Sequence, residues 1–124
     1  MISPFGKEEP LNMNQLSPDF FVAGQISAKD VAQIAAKGVK AIICNRPDGE
    51  GLFQPASKDI RAAAEAAGLN FAYIPIVPGR ATMDDVQAFA TAVKETTGPV
   101  LAYCRTGNRS GQLWSHIMAH KGAA

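Results

Sequence analysis

The chain has 124 residues, 47% of them hydrophobic and 19% charged, a composition that predicts one globular domain and excludes a disordered chain. Twelve lysines and arginines against eleven acidic residues give a formal charge of +1, which excludes general electrostatic attraction to nucleic acid or to membranes. No apolar run is long enough for a membrane-spanning helix, and the N-terminus lacks the layout of a signal peptide, so we expect a cytoplasmic protein.

Residues 1–17 hold scattered prolines and no periodic pattern, which predicts an irregular lead-in to a single domain over residues 18–124. Ser27 and Asp30 form a capping-box-like pair at the start of the first predicted helix, and Gly38 suits its C-terminal cap. In chain order, the first predicted elements are a strand over 20–24, a helix over 27–38, a strand over 39–44, a loop over 45–51 and a helix over 56–67.

The second half of the chain continues this alternation of strands and helices. Thr82 is the predicted cap of a helix whose first turn carries Asp84 and Asp85, where the helix dipole favours acids. The remaining predicted elements are a strand over 69–76, a helix from 82 to Gly98-Pro99, a strand over 99–104, a loop over 105–111 and a last helix with Leu113, Trp114, Ile117 and Met118. Continuously apolar strands in this order predict an α/β fold, a mainly parallel sheet with helices on both faces.

The segment AYCRTGNRSG, residues 102–111, combines a strand end, a cysteine, two arginines and a helix start. A loop that enters a helix turns backbone N–H groups inward, and the helix dipole adds partial positive charge there. Gly107 and Asn108 tolerate the left-handed backbone that such a cradle needs. The sequence therefore predicts an anion-binding loop with a thiol at its base, made of Cys104, Arg105, Thr106, Gly107, Asn108, Arg109 and Ser110.

Cys104 has two interpretations. A cysteine at a strand end is most often a small buried hydrophobe without reactivity. Beside a helix N-terminus and arginines, however, its pKa falls, and the thiolate is the nucleophilic form. Because all these features coincide here, we favour a catalytic thiolate, with Arg109 presenting a planar fork to an oxyanion. Arg105 either does the same or faces solvent.

Two enzyme families use a loop of this kind. Protein tyrosine and dual-specificity phosphatases place five residues between the cysteine and the arginine, commonly with histidine before the cysteine, whereas rhodanese-type sulfurtransferases place four. Here four residues separate Cys104 from Arg109 and Tyr103 precedes the cysteine, so CRTGNRS looks like a single-domain rhodanese loop. The shorter loop makes a smaller cradle, which suits a sulfane sulfur better than a phosphate with its leaving group.

The rest of the chain resembles another family. FFVAGQIS, VKAIICNRPDGEG, FAYIPIVPG and GPVLAYCRTGNRS are similar, in this order, to the phosphatase-like domain of beta-lactamase-hydrolase-like proteins. The resemblance covers about residues 18–120 and is most specific in the Arg46–Glu50 block and the cysteine loop. It implies a dual-specificity-phosphatase-like fold. It also implies a sulfide:quinone reductase or a persulfide dioxygenase as a fusion or pathway partner, and hence thiosulfate or glutathione persulfide as substrate.

One departure from phosphatases concerns the proton donor. Those enzymes carry a general-acid aspartate on a loop ahead of the cysteine, which protonates the leaving alcohol. The corresponding stretch here, IVPGRAT over 76–82, contains no acid, and Asp84 and Asp85 fit a helix start instead. Asp48, on the predicted loop over 45–51, is the alternative candidate for this general acid. Sulfur transfer needs no acid when sulfite leaves, so loop length and the missing acid both favour it.

Other side chains carry weaker hypotheses. Arg46 is either a second anion clamp or the ion-pair partner of Asp48 or Glu50. Cys44 is predicted to be a buried structural thiol, the alternative being a resolving cysteine that forms a disulfide with the nucleophile. Arg80 is a minor candidate for the rim of the site.

The two histidines, His116 and His120, stand one helical turn apart. This spacing is compatible with a metal, but no third ligand is evident, so we favour exposed or capping side chains and expect no metal or cofactor. Trp114 and Tyr73 are predicted to be core residues.

The leading hypothesis is a rhodanese-like sulfurtransferase. Cys104 attacks the outer sulfur of a small anionic donor, holds it as a persulfide and passes it to a glutathione-like thiol, while Arg109, with Arg105 and Arg46, binds the anion. The first alternative is a cysteine-dependent phosphatase that forms a phosphocysteine, with Asp48 as the acid. The second is a non-catalytic anion-binding or docking module.

Overall fold

Five short strands form one sheet in the computed structural model, which describes residues 11–123 and the side chains up to residue 120. The spatial order is β1-β2-β5-β3-β4, in which β1 runs antiparallel to β2 and the other neighbours are parallel. The central position of β5 places the end of this strand, and the cysteine loop that follows it, in the middle of one sheet edge. The strands are β1 (Met13–Ser17), β2 (Phe20–Ala23), β3 (Ala41–Cys44), β4 (Asn70–Tyr73) and β5 (Val100–Tyr103).

Helices cover both faces of the sheet. They are α1 (Asp30–Ala36), α2 (Ser57–Ala66), α3 (Met83–Glu95) and α4 (Asn108–Ala123). Val31 of α1 and Ile60 of α2 belong to the core on one face, and Phe89 of α3 and Leu113 of α4 belong to the core on the other. The predicted fold class is therefore confirmed.

Strand β3 shows why this sequence needs two helical layers. Ile42 and Cys44 point into the core that α1 and α2 cover, and Ala41 and Ile43 point into the core under α3 and α4. Successive strand residues face opposite sides, so a strand that is apolar throughout is stable only when both faces are covered. Each fully buried isoleucine contributes about 1.5–3 kcal/mol by leaving water.

The lead-in prediction is wrong for part of its length. Residues 13–17 form the edge strand β1 instead of an irregular segment, and the expected irregular residues 1–10 lie outside the described residues. The pattern MNQLS carries little hydrophobic signal because β1 is mostly exposed, and its order comes from pairing with β2 across a tight turn.

The start of α3 agrees with expectation, and the start of α1 differs from it. Thr82 and Asp85 form the reciprocal capping box of α3, with bonds of 3.1 and 2.9 Å. At α1 only half of the pattern forms: the Asp30 carboxylate accepts from the Ser27 N–H and hydroxyl, and the Asp30 N–H donates to the Ser27 carbonyl. The helix consequently begins at Asp30 rather than at Ser27.

The predicted ends of β4 and of the cysteine loop also differ from the observed ends. Strand β4 stops at Tyr73, ahead of Pro75, which lacks the N–H that a sheet ladder requires. Helix α4 begins at Asn108, so Arg109 already lies in its first turn. Within the described part of the chain, no helix combines the length and hydropathy that crossing a membrane requires.

Candidate active site

The cysteine loop lies against the end of β2, at the carboxyl edge of the parallel strands. The Cys104 N–H donates to the Ala23 carbonyl at 3.3 Å, and the Gln25 N–H donates to the Arg105 carbonyl at 3.2 Å. Gly24 permits this approach, since a Cβ there would stand 3.0 Å from the Arg105 oxygen. The first residues of the loop are thus held by backbone contacts that do not depend on their side chains.

Gly107 turns the loop back over the thiol. Its φ of +96° lies in the left-handed region that favours glycine, and its N–H donates to Cys104 Sγ at 3.0 Å. Any larger residue would strain this turn. The loop thus turns over the sulfur as its composition predicts, although only Gly107 adopts the left-handed backbone and Asn108 is helical.

The environment of Cys104 favours the thiolate. Burial by itself raises the pKa of the Cys104 thiol, but the backbone N–H groups around the sulfur, of which the Gly107 N–H donates to Sγ at 3.0 Å, lower the pKa below its ordinary value. These donors converge because the loop wraps around the sulfur and continues into the first turn of α4. They belong to Ser110, Thr106, Gly107 and Arg109.

Arg109 is held by two partners outside the loop. Its Nη1 and Nη2 donate to the two carboxylate oxygens of Glu50, each at 2.8 Å, and Nη1 also donates to the Ile76 carbonyl at 2.8 Å. A guanidinium has five N–H groups in a fixed plane, so the Nε–H and the second Nη2–H stay available on one edge. The Glu50 carboxylate, and to a smaller extent Cys104, raise the pKa of Arg109.

Glu50 joins the two arginines of the site. Besides Arg109, its carboxylate accepts from Arg46 Nε at 2.9 Å. The Arg109 hydrogen bonds, with a smaller contribution from Arg46, lower the pKa of Glu50 to about 2. A carboxylate in this state accepts hydrogen bonds throughout the neutral range and is unsuited to donate a proton.

Arg46 takes the ion-pair role rather than that of a clamp open to ligands. It is 8% exposed, and besides Glu50 it donates to Gln25 Oε1 at 3.0 Å. The contact with Glu50 closes the loop after β3 on itself, and the contact with Gln25 ties this loop to the loop after β2. Of the two interpretations of Arg46, the structure favours pairing with Glu50.

We expect Glu50→Gln to lower the free energy of unfolding by about 2–3 kcal/mol at neutral pH, because two largely buried guanidinium groups lose their counter-ion. The pKa of Glu50 is depressed on folding, so its stabilisation is present above about pH 4.5 and is lost as the pH falls towards 2. The difference between wild type and variant, measured by urea unfolding, should therefore shrink in acid.

The matched control for this substitution is Glu65→Gln. Glu65 forms an exposed pair with Arg61 at 3.9 Å, and such pairs contribute well under about 1 kcal/mol. Equal losses in the two variants, or a Glu50→Gln deficit that is independent of pH, would contradict the role assigned to Glu50.

Asn45 is a structural residue of the site that no sequence pattern singles out. Its Oδ1 accepts from the Ser110 hydroxyl at 2.8 Å, and its amide donates to the Ile74 carbonyl at 2.9 Å. Asn45 and Ser110 are both fully buried. Through these bonds the loops after β3, β4 and β5 hold one another, which fixes the first turn of α4.

Asp48 has no free carboxylate oxygen in this arrangement. Its two oxygens accept from the Ser57 N–H at 2.7 Å and from the Ser57 hydroxyl at 2.6 Å, which caps the start of α2. The Asp48 N–H donates to the Tyr73 hydroxyl at 2.9 Å. The prediction that Tyr73 is a core residue is therefore wrong: its side chain is partly exposed and its hydroxyl holds the loop after β3. These contacts give no support to Asp48 as a proton donor.

The remaining loop side chains lie on its outer surface. The Arg105 side chain is exposed, as the alternative for this residue proposed. The exposed Thr106 accepts the Asn108 N–H on its hydroxyl at 3.3 Å, which supports the turn into α4. Of the two loop arginines, Arg109 is the one whose guanidinium is held in place, by Glu50 and the Ile76 carbonyl.

Cys44 belongs to the core. It pairs with Tyr103 across β3 and β5, and both side chains pack on the side of α1 and α2. Burial raises the pKa of Cys44, whose thiol donates to the Arg46 carbonyl at 3.3 Å. Because neighbouring strand residues face opposite sides, Cys44 and Cys104 point to different faces, which does not favour a disulfide between them.

The histidines and Arg80 are exposed side chains, and His116 lines a surface cavity that Arg109 also borders. The rings of His116 and His120 stand 4.7 Å apart on an exposed part of α4, and Arg80 is exposed in a turn. Trp114 stacks on Phe20 at 4.1 Å in the second core, as expected. Among the described residues, no group of three potential metal ligands occurs.

The fold and the cysteine loop together define a phosphatase-like α/β domain. Residues 12–121 match the family model described as the phosphatase-like domain of beta-lactamase hydrolase-like protein, and the chain belongs to this family. A beta-lactamase hydrolase-like protein of Agrobacterium fabrum is 39% identical over 93 residues, which are 75% of this chain and 22% of that protein. One of Xylella fastidiosa is 36% identical over 94 residues, again 22% of its length. The chain therefore spans about a fifth of these curated relatives.

Solved structures agree with the family assignment. A candidate phosphatase of Neisseria meningitidis superposes with a TM-score of 0.79 and 38% identity, over 87% of this chain and 77% of that one. P. aeruginosa TpbA, crystallised with pTyr, gives a TM-score of 0.60 and 23% identity, over 83% of this chain and 59% of that one. The second likeness concerns the fold alone. The resemblance and the phosphatase-like fold expected from sequence are confirmed.

Proposed function

We propose that this domain hydrolyses phosphate monoesters by two successive displacements at Cys104. The observation that carries the proposal is the loop that wraps Cys104, in which the Gly107 N–H donates to Sγ at 3.0 Å, the backbone N–H groups lower the pKa of the thiol, and Arg109 in the first turn of α4 is anchored on Glu50. Such donors match the equatorial oxygens of a phosphoryl group in transfer. The phosphatase-like family and neighbours support this alternative better than the sulfurtransferase that loop length suggested.

The chemistry follows from the positions of these groups. The thiolate of Cys104 attacks phosphorus, an S–P bond forms, and the P–O bond breaks so that the leaving oxygen keeps the electron pair. Water then attacks the phosphocysteine, the S–P bond breaks and inorganic phosphate leaves. During both steps the backbone N–H groups and the Nε/Nη2 edge of Arg109 bind the three outer oxygens.

The choice of leaving group is limited by the missing acid. Asp48 accepts two hydrogen bonds from Ser57, and Glu50 is paired with two arginines. Neither side chain is placed to protonate a departing alcohol. We therefore propose that esters of acidic alcohols such as phenols, which leave as anions, react much faster than alkyl esters.

A second candidate function is sulfur transfer, favoured by the four-residue spacing between Cys104 and Arg109. The same site would bind thiosulfate, the thiolate would take its outer sulfur, and sulfite would leave without protonation. A thiol acceptor would then remove the sulfur from the persulfide. This candidate retains the small anionic donor and the glutathione-like acceptor predicted from the sequence.

Two assays on one preparation separate these functions. We expect vanadate-sensitive hydrolysis of p-nitrophenyl phosphate, and little formation of thiocyanate or glutathione persulfide from thiosulfate with cyanide or glutathione. Rapid sulfur transfer without ester hydrolysis, together with a mass gain of one sulfur on Cys104, would reverse the ranking. If the protein shows neither activity, this result would favour the non-catalytic anion-binding or docking module.

A further inference from the structure

Two large apolar side chains stand in solvent on the loop that also carries Glu50. Leu52 is 91% exposed and Phe53 is 100% exposed, and we call these two residues the apolar tip. The loop beneath them is held by Gln54, which accepts the Gly51 N–H on Oε1 at 2.9 Å and donates through Nε2 to the Pro47 carbonyl at 2.9 Å. These two hydrogen bonds brace the loop from within while Leu52 and Phe53 face outward.

The backbone of the tip is strained. Phe53 has a φ of +57°, in the left-handed region that bulky side chains avoid. Strain of this kind persists only where the surrounding structure imposes it, and it is concentrated in segments that bind or act. An exposed phenylalanine in this conformation gains nothing from the fold of this domain itself.

The position of the tip links it to the thiol. Leu52 comes two residues after Glu50, whose carboxylate contacts Arg109 at 2.8 Å. Three residues of extended chain reach at most about 11 Å, so the tip lies within that distance of Glu50. This distance is short enough for residues that flank a phosphorylated side chain at Cys104 to reach the tip.

The charge of the segment distinguishes between possible partners. Its charged residues over 45–56 are Arg46, Asp48 and Glu50, and Arg46 is already paired with Glu50. Loops that insert into membranes combine apolar tips with lysines and arginines that attract anionic lipids. This segment has no such excess of positive charge, so its chemistry favours an apolar polypeptide surface over a lipid.

We propose that the apolar tip is a docking site for the polypeptide that carries the phosphate group, and that it binds apolar residues flanking the phosphorylated side chain. The inference rests on the proposed function, because it names the substrate class of the same site. A loop already fixed in one conformation loses little freedom on binding, so even two side chains can give useful selectivity.

The test compares two tyrosine-phosphorylated peptides that differ only in the residues beside the phosphotyrosine, leucine and phenylalanine in one and serines in the other. We expect kcat/KM of the wild type to favour the apolar peptide by about tenfold. The double variant Leu52→Ser/Phe53→Ser should lose this preference while it hydrolyses p-nitrophenyl phosphate at the wild-type rate.

Two further variants keep the test decisive if the double variant folds poorly. Phe53→Gly suits the left-handed backbone and removes only the ring, so it should lose part of the preference. Leu16→Ser removes a half-exposed leucine of the edge strand β1 and should keep all of it.

The other outcomes of these experiments would contradict the docking site, the proposed function or the polypeptide nature of the partner. Equal rates for the two peptides, with p-nitrophenyl phosphate still hydrolysed, would overturn the docking site and leave the proposed function standing. No hydrolysis of any ester would overturn the proposed function, and the docking of its substrate with it. Cosedimentation with phosphatidylcholine–phosphatidylserine vesicles that depends on Leu52 and Phe53 would identify a lipid surface instead of a polypeptide.

Discussion

Cys104→Ser is expected to abolish turnover, with a fall in kcat on the order of 10⁴ or more. The physical reason is that a hydroxyl in this cradle stays protonated at neutral pH, whereas the N–H groups around Cys104 stabilise the thiolate. The measurement is the initial rate with p-nitrophenyl phosphate and, in parallel, with thiosulfate and cyanide. Both candidate chemistries use the same nucleophile, so whichever activity the wild type shows should disappear.

The matched control is Cys44→Ala. Cys44 is 2% exposed and points into the core on the other face of the sheet, so its loss should lower stability and leave the rate per folded molecule unchanged. A Cys104→Ser variant that stays within tenfold of wild type would refute the proposed nucleophile. Loss of activity in Cys44→Ala at full stability would revive the resolving-cysteine hypothesis.

Arg109→Lys should reduce kcat by about 10²–10³-fold while the domain stays folded. A lysine keeps the positive charge but has neither the planar edge for an oxyanion nor the geometry to bind both Glu50 oxygens and the Ile76 carbonyl. Steady-state kinetics should show that the loss falls mainly on kcat, since the arginine fork matters most when charge develops on the transferred group.

Arg61→Lys serves as the comparison for this substitution. Arg61 lies on α2, where it pairs loosely with Glu65 and rests over the ring of Phe71, far from the cysteine loop in the topology. Its replacement should leave the kinetics unchanged. If Arg109→Lys behaved in the same way, the role of the arginine in oxyanion binding would have to be abandoned.

Local patterns explain what the sequence could predict. Thr82 and Asp85 cap α3 as expected, and Gly107 turns the loop over the sulfur, because caps and left-handed turns depend on residues only a few positions apart. The order of apolar runs likewise predicted the sheet and its two helical layers. Strand β1 was missed because an exposed edge strand of polar residues lacks a hydrophobic pattern.

Contacts between distant segments explain what the sequence could not predict. Glu50 and Arg109 stand 59 positions apart, and Asn45 and Ser110 stand 65 apart, so their pairing appears only when the strands are in register. Asp48 looked available because the sequence does not show that Ser57 takes both carboxylate oxygens. The sequence likewise left open whether Arg46 binds an anion or pairs with an acid, because its contact with Glu50 appears only in the folded loop.

The anchoring of Arg109 has a thermodynamic consequence for ligand binding. A free arginine side chain loses about 2 kcal/mol of rotamer entropy when it is immobilised. Here three hydrogen bonds already immobilise the guanidinium before any anion arrives, so most of this loss accompanies folding instead of association. Calorimetric titration with an oxyanion such as vanadate should accordingly show a small entropic penalty, which Glu50→Gln should enlarge.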